Sequence, residues 1–169
     1  KLAPSILKAL RDENYIEPTD IQSKSIPLVL NGNDVLGSAQ TGTGKTAAFT
    51  LPIIQLLSAK PVEKRKRIKS LIVTPTRELA IQIIGVLDSL ATFIDGFKSK
   101  LLIGGTSMDK DIKDIEQKPH VIVGTPGRVH DMIRRKKINA KTLKLLILDE
   151  ADEMLSSGFK EQIYNIFQF

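Results

Sequence analysis

The sequence predicts an α/β fold built on an open, mostly parallel sheet with helices on both faces. Three observations carry this. Short apolar runs alternate with segments of helical periodicity along the whole chain, as in repeated strand–helix units. The strand-like runs, such as Ser70-Leu71-Ile72-Val73-Thr74 and Leu145-Leu146-Ile147-Leu148, are almost continuously apolar, which marks strands covered on both faces. Glycine-rich and charged clusters recur just after these runs, at the strand ends where open parallel sheets bind ligands.

Taken in order, Leu2, Ile6, Leu7 and Leu10 have the spacing of one helix face. Asn14 to Pro18 breaks that helix. Thr19-Asp20-Ile21-Gln22 has the form of a capping box, with Thr19 as N-cap and Gln22 at N3. Pro27 kinks or restarts the second helix, and Asn31-Gly32 ends it. Asp34 to Ala39 is the expected first strand. A helix follows to about Ala59, with a kink expected at Pro52. Lys60 to Lys69 is rich in Lys and Arg without periodicity; it reads as an exposed loop, either a solvated charge run or a nucleic-acid contact. Ser70 to Thr74 is the second strand. Its helix aligns Leu79, Ile83, Leu87 and Leu90. Lys100 to Ile103 is the third strand, Asp109 to Glu116 a short polar helix, and His120 to Val123 the fourth strand. The helix from Pro126 buries Val129, Met132 and Ile133 and ends in the basic run Arg134 to Lys137. Leu145 to Leu148 is the fifth strand, and a last helix starts near Phe159.

Composition narrows the classes of function. A chain of 169 residues is one domain's worth, able to bury roughly two-thirds of its unfolded surface. No stretch approaches the ~20 apolar residues that span a bilayer, and no signal peptide is visible. With no cysteine there is neither a disulfide nor a thiolate metal site, which fits a cytoplasmic or nuclear protein. The formal charge of +6 favours a polyanionic partner, nucleic acid first. His120 and His130 form no ligand set, and no Ser-His-Asp or Cys-His arrangement exists.

The most specific local signal is Ala39-Gln40-Thr41-Gly42-Thr43-Gly44-Lys45-Thr46. A strand, a glycine-rich loop, Lys-Thr and a helix together make a phosphate-binding loop. Glycines let the backbone wrap close to an anion. The helix N-terminus adds unpaired donors and a partial positive charge. Lys45 reaches the β and γ phosphates in this reading, and the Thr46 hydroxyl ligates Mg2+. The usual opening glycine is replaced by Ala39.

The other clusters then read as parts of the same edge: Pro75-Thr76-Arg77-Glu78, Gly104-Gly105, Thr125-Pro126-Gly127-Arg128 and Asp149-Glu150. Asp149 is placed to hold Mg2+ through water, and Glu150 to orient and deprotonate the attacking water. Arg77 and Arg128 stand where helices begin, against the helix dipole, which suggests a grip on nucleic-acid phosphates rather than a role in the helix. Gln22 has two readings that compete for one side chain: the capping box, or a carboxamide that pairs with N6 and N7 of adenine.

Together these residues resemble the first RecA-like domain of DEAD-box RNA helicases. Pro18 to Gln22 is similar to the family's Q motif, Ala39 to Thr46 to its phosphate loop, Pro75 to Ala80 to PTRELA, Gly104-Gly105 to GG, and Thr125 to Arg128 to TPGR. Asp149 to Asp152 spells Asp-Glu-Ala-Asp. Ala151 to Tyr164 looks like translation-initiation-factor-type members, and the first half is closer to bacterial ones. The resemblance implies a single RecA-like ATP-binding domain over residues 1–169. It implies ATP and Mg2+ as cofactors. Tyr15, Gln22, Thr41, Gly42, Thr43, Gly44, Lys45 and Thr46 would hold nucleotide, and Thr46 and Asp149 the metal. Lys45, Asp149 and Glu150 would serve catalysis. Pro75, Thr76, Arg77, Gly104, Gly105, Thr125, Pro126, Gly127 and Arg128 would contact RNA backbone, largely without regard to base sequence. Asp152 would couple this site to a second RecA-like domain.

The Ser-Ala-Thr motif and that second domain, with its arginine fingers, are not in the sequence. The chain is therefore expected to be the first half of a monomeric helicase core that neither hydrolyses ATP well nor unwinds RNA alone. Two other classes stay open: another P-loop ATPase, such as a DNA translocase, and a non-catalytic docking module for RNA or protein.

Overall fold

The structure, a computed structural model, describes residues 1–61 and 68–169. They fall into two compact units: residues 1–61 with Gly85–Gly96, and residues 68–84 with Phe97–Phe169.

The first unit is helical. Its elements are α1 (Pro4–Asp12), α2 (Asp20–Leu30) and α3 (Lys45–Ser58), joined by the end of α4 (Arg77–Leu90). Pro4 opens α1 at its first position, where a missing N–H costs nothing. Asn14, in the left-handed region, turns the chain out of α1, and the Tyr15 N–H donates back to the Leu10 carbonyl at 2.8 Å. This left-handed closure is a common helix ending. Ile6 and Ala9 are the buried positions of α1, while Leu7 is exposed. The apolar stripe is therefore rotated from the expected one, with a small residue carrying it. Helices α2 and α3 both run through their prolines, Pro27 and Pro52. The buried apolar residues of this unit include Ala47, Leu51, Ile54 and Leu57 of α3 and Leu87, Leu90, Ala91 and Ile94. At its rim, Lys8 Nζ lies 4.1 Å from the centre of the Phe93 ring, a cation–π contact.

The expected first strand, Asp34 to Ala39, is not formed. Residues 33–40 belong to no ladder among the described residues, and Leu36 is 100% exposed. Its apolar content is only Val35-Leu36, set between Asp34 and Gly37-Ser38. Without a hydrogen-bonding neighbour such a short run has nothing to hold it as a strand.

The second unit carries the sheet. Four parallel strands, β1 (Ser70–Val73), β2 (Ser99–Leu102), β3 (Val121–Gly124) and β4 (Leu145–Leu148), lie in the order β2-β3-β1-β4. The register pairs Leu71 with Ile122 and Leu146, and Leu102 with Gly124. The connections are the first half of α4, then α5 (Met108–Glu116) and α6 (Pro126–Arg134), followed by α7 (Ala151–Ser156) and α8 (Lys160–Phe167). A 3-10 turn at Ala140–Thr142 leads into β4.

Strand residues alternate between faces, so two layers can be told apart. Leu71, Val73, Leu102 and Ile122 pack with Ile115, Val129, Met132, Ile133, Ile163 and Ile166 from α5, α6 and α8. Ile72, Val121 and Val123 are buried on the other face. Right-handed crossovers put α4 on that face, because its connection runs against the direction of the next two. The central strands β1 and β3 are buried throughout and the edge strands only partly, as the continuous apolar runs imply. Helix α7 was not expected from the sequence; a left-handed residue at Glu150 starts it abruptly. Most of Lys60 to Lys69, expected as an exposed loop, lies outside the described residues. Among the described residues, no helix is long and apolar enough to cross a membrane.

Candidate functional site

In the first unit the phosphate loop is a run of turns ending on a helix. Gly42 and Gly44 have φ of 81° and 84°, values that side-chain-bearing residues avoid. The Thr43 hydroxyl donates to the Gln40 carbonyl inside the loop. Gly44 is the N-cap of α3, with Lys45 and Thr46 as its first two residues. The helix therefore starts on the residues expected to hold phosphate and Mg2+.

Gln22 is 4% exposed and joins α2 to this loop. Its Oε1 accepts the Thr19 N–H at 3.1 Å, one arm of the capping box. Its Nε2 donates to the Gly44 carbonyl at 3.1 Å. A carboxamide offers two donor hydrogens and two acceptor lone pairs. The cap and the loop use half of these, and one N–H and one lone pair remain. The two readings of Gln22 are thus compatible in number. Tyr15 is half-buried just upstream.

The second unit brings four of the expected clusters to one carboxyl edge. The Asp149 N–H donates to the Val73 carbonyl at 2.9 Å, Thr74 N–H to Gly124 at 3.0 Å, and Thr125 N–H to Leu102 at 3.0 Å. These bonds continue the ladders past the strand ends and set Thr74, Asp149 and Thr125 in one row. Thr74 is fully buried there, and its hydroxyl has no hydrogen-bond partner. Pro75 is buried, whereas Arg77 is exposed. The Thr76 hydroxyl caps α4 by accepting the Leu79 N–H at 3.2 Å. The Arg77 guanidinium lies over the Gly104-Gly105 turn. A Cβ at Gly105, where φ is +86°, would come within 2.9 Å of Arg77 Nη1. That turn needs glycine for its dihedral angle.

At the start of α6, Pro126 is buried and Gly127 exposed. Thr125 is the N-cap, but its side chain makes no cap hydrogen bond. A Cβ at Gly127 would meet nothing within 4 Å. The fold therefore tolerates a side chain there, and the bare backbone is left for something else. Arg128 turns inward, its side chain 11% exposed, onto Asp111. Its Nη2 donates to the Thr106 carbonyl at 3.0 Å. Asp149 and Glu150 are half-buried at the end of β4. Glu150 sits at φ 53°, ψ 47°, a left-handed conformation costing a non-glycine residue roughly 1–2 kcal/mol. Such strain concentrates at functional positions. Asp152 is exposed in the first turn of α7.

Sequence reasoning missed Asp111, Lys100 and Thr106. One signal was available: Asp111 shares a helix face with Met108 and Ile115, so it is a carboxylate on the apolar stripe of α5. His120 is buried, and its Nδ1 accepts the Lys98 N–H at 3.0 Å. Among the described residues, no group of three His, Cys, Asp or Glu could hold a metal ion.

A glycine-turned phosphate loop opening a helix, and a parallel sheet with its polar clusters along one edge, define the class: a P-loop α/β nucleotide-binding chain. Comparison with known families narrows it. The family model described as DEAD/DEAH box helicase matches residues 19–169, and the chain belongs to that family. It is 47% identical over 167 residues to the ATP-dependent RNA helicase eIF4A of Scheffersomyces stipitis, covering 99% of this chain and 41% of that protein. It is 43% identical, with the same coverage, to the ATP-dependent RNA helicase FAL1 of Meyerozyma guilliermondii. Its structure matches a crystal structure of a DEAD box protein from the hyperthermophile Methanococcus jannaschii with a TM-score of 0.90 and 41% identity, over 99% of this chain and 45% of that one. The chain thus spans about two-fifths of the length of these curated relatives.

Proposed function

We propose that this chain is the ATP-binding and RNA-gripping half of an ATP-dependent RNA helicase, a single RecA-like domain that works with a second one. The observation that carries the reading is the carboxyl edge of the sheet, which brings together the Gly104-Gly105 turn under Arg77, the open backbone at Gly127 and Asp149-Glu150. Backbone amides and arginines suit phosphate and sugar, which carry little sequence information. Thr76, Thr125 and the buried Pro75 and Pro126 shape the two helix starts that face the RNA. The phosphate loop, Thr41 to Thr46, takes the triphosphate, and Lys45 offsets its charge. Gln22 reads adenine with its spare donor and acceptor, and Tyr15 is a second nucleotide contact in this reading.

Each proposed donor, taken by itself, has the chemistry that Mg2+ takes. The Thr46 hydroxyl and the Asp149 carboxylate are hard oxygen ligands, and Mg2+ usually takes one or two protein oxygens beside water and phosphate. Mg2+ held by such oxygens would neutralise phosphate charge. Glu150 orients the attacking water and accepts its proton. Asp152 links this chemistry to the second RecA-like domain, whose arginines complete the site. The protein acts as a monomer in the cytoplasm or nucleus.

Glu150→Gln separates enzyme from docking module. The variant is expected to bind a fluorescent ATP analogue as the wild type does and to lose RNA-stimulated phosphate release in the two-domain protein. Turnover that survives the substitution would remove Glu150 from the chemistry.

A further inference from the structure

The buried carboxylate of Asp111 stands apart from every motif assigned above. Its side chain is 2% exposed, and a carboxylate in such a place is strongly unfavourable unless paired and hydrogen-bonded. Asp111 meets both conditions. Oδ1 accepts from Lys100 Nζ at 2.9 Å. Oδ2 accepts from Arg128 Nη1 and, at 3.0 Å, from the Thr106 hydroxyl. Lys100 also reaches Asp114 at 2.7 Å. These partners come from three places: Lys100 from β2, Thr106 from the residue after the Gly104-Gly105 turn, and Arg128 from the first turn of α6. Arg128 closes the frame with its second nitrogen on the Thr106 carbonyl.

We propose that Asp111 is a positioning residue for RNA: it locks the Gly104–Thr106 turn to the start of α6, so that the glycine turn and the open backbone at Gly127 are presented as one rigid phosphate-binding edge. This rests on the RNA reading above. The charge count makes the idea testable by sign. Lys100 and Arg128 contribute +2, and Asp111 and Asp114 contribute −2, so the network has no net charge to attract phosphate. If the edge worked through charge alone, removing the Asp111 carboxylate would tighten RNA binding, because a polyanion gains from each added positive charge. If Asp111 works by position, its loss must weaken binding.

The test measures the affinity of the chain for a single-stranded oligouridylate at fixed low salt, with a fluorescent adenine nucleotide as a second ligand. Asp111→Asn is expected to weaken RNA binding roughly tenfold, within the range of measured coupling energies, with nucleotide affinity unchanged. Arg128→Lys keeps the charge and leaves Asp111 paired with Lys100, but lacks the fork that reaches Thr106. It is expected to weaken RNA binding to a similar degree. The double variant should bind no worse than the weaker single one. Undiminished or tighter RNA binding by Asp111→Asn overturns the proposal, as do additive losses. Should Asp111→Asn fail to fold, undiminished RNA binding by Arg128→Lys overturns it equally. A wild-type chain that binds no RNA at low salt would sink the RNA reading, and this proposal with it.

Discussion

At the scale of single residues, glycines separate what the fold needs from what a ligand needs. Gly44 is needed by both. A Cβ there would come within 2.4 Å of Gln22 Nε2, at a backbone φ of +84°. Gly44→Ala is expected to destabilise the chain by about 1–2 kcal/mol from the backbone conformation alone, and more once Gln22 is displaced. Chemical denaturation with parallel nucleotide titration would show both losses together. Gly127 is the opposite case. Its position is open and its φ is not positive, so Gly127→Ala should leave stability unchanged or raise it by up to about 1 kcal/mol. The same methyl would stand where the RNA backbone is proposed to lie, so RNA affinity should fall while the melting temperature does not. A fall in both would mean that Gly127 serves the fold. Glu150 is a third kind: its left-handed backbone could not be foreseen, because glutamate has no preference for that region.

At the scale of elements, ion pairs tie β2 and the start of α6 to α5 and close the end of α6, and these give the chain its response to pH. A hydrogen bond from Lys100 holds the Asp114 carboxyl below its ordinary value of 3.8. Hydrogen bonds from Arg134, and then from Arg135, do the same for Asp131 at the end of α6. Each carboxylate is bound more tightly in the folded state, so its stabilisation is present above about pH 3.8 and is lost as pH falls through the depressed folded value. Lys100 behaves in the opposite direction. Burial lowers its pKa, but hydrogen bonds and charge from Asp114 and Asp111 outweigh that and raise it above 10.5. Its contribution is complete below pH 10.5 and is lost only above. Thermal melts of wild type and Asp131→Asn should therefore differ at neutral pH by up to about 1 kcal/mol, as for a half-exposed pair, and converge only as pH falls through the depressed folded value of Asp131, below its ordinary 3.8. A gap that persists in acid would contradict the pairing.

These elements also show what a sequence carries. Continuous apolar runs announced β1, β3 and β4, of which β1 and β3 are buried throughout and the edge strand β4 only partly. The run at Val35-Leu36 was over-read, since strand formation depends on a neighbour that local pattern does not contain. Helix α7 was missed because it is short and begins on a strained residue. Motif positions were legible residue by residue, but the inward turn of Arg128 was not: it depends on Asp111, seventeen positions earlier and on another helix.

For the whole molecule, the chain's family is that of DEAD/DEAH box helicases, and its length is about two-fifths that of its relatives. Nucleotide binding and one RNA-gripping edge are the functions proposed for it, with the completing arginines on a second RecA-like domain. An arginine finger supplied from outside can be worth 10³–10⁵ in rate, so hydrolysis should depend on that domain far more than binding does. The most direct measurement is the steady-state rate of ATP hydrolysis, with single-stranded RNA, single-stranded DNA or neither. It is made on this chain alone and on this chain joined to the second domain of an eIF4A-type relative. The expected result is near-background turnover by the chain alone, and turnover by the joined protein that RNA, but not DNA, stimulates and that Glu150→Gln abolishes. Equal stimulation by DNA, or robust RNA-stimulated turnover by the chain alone, would contradict the account.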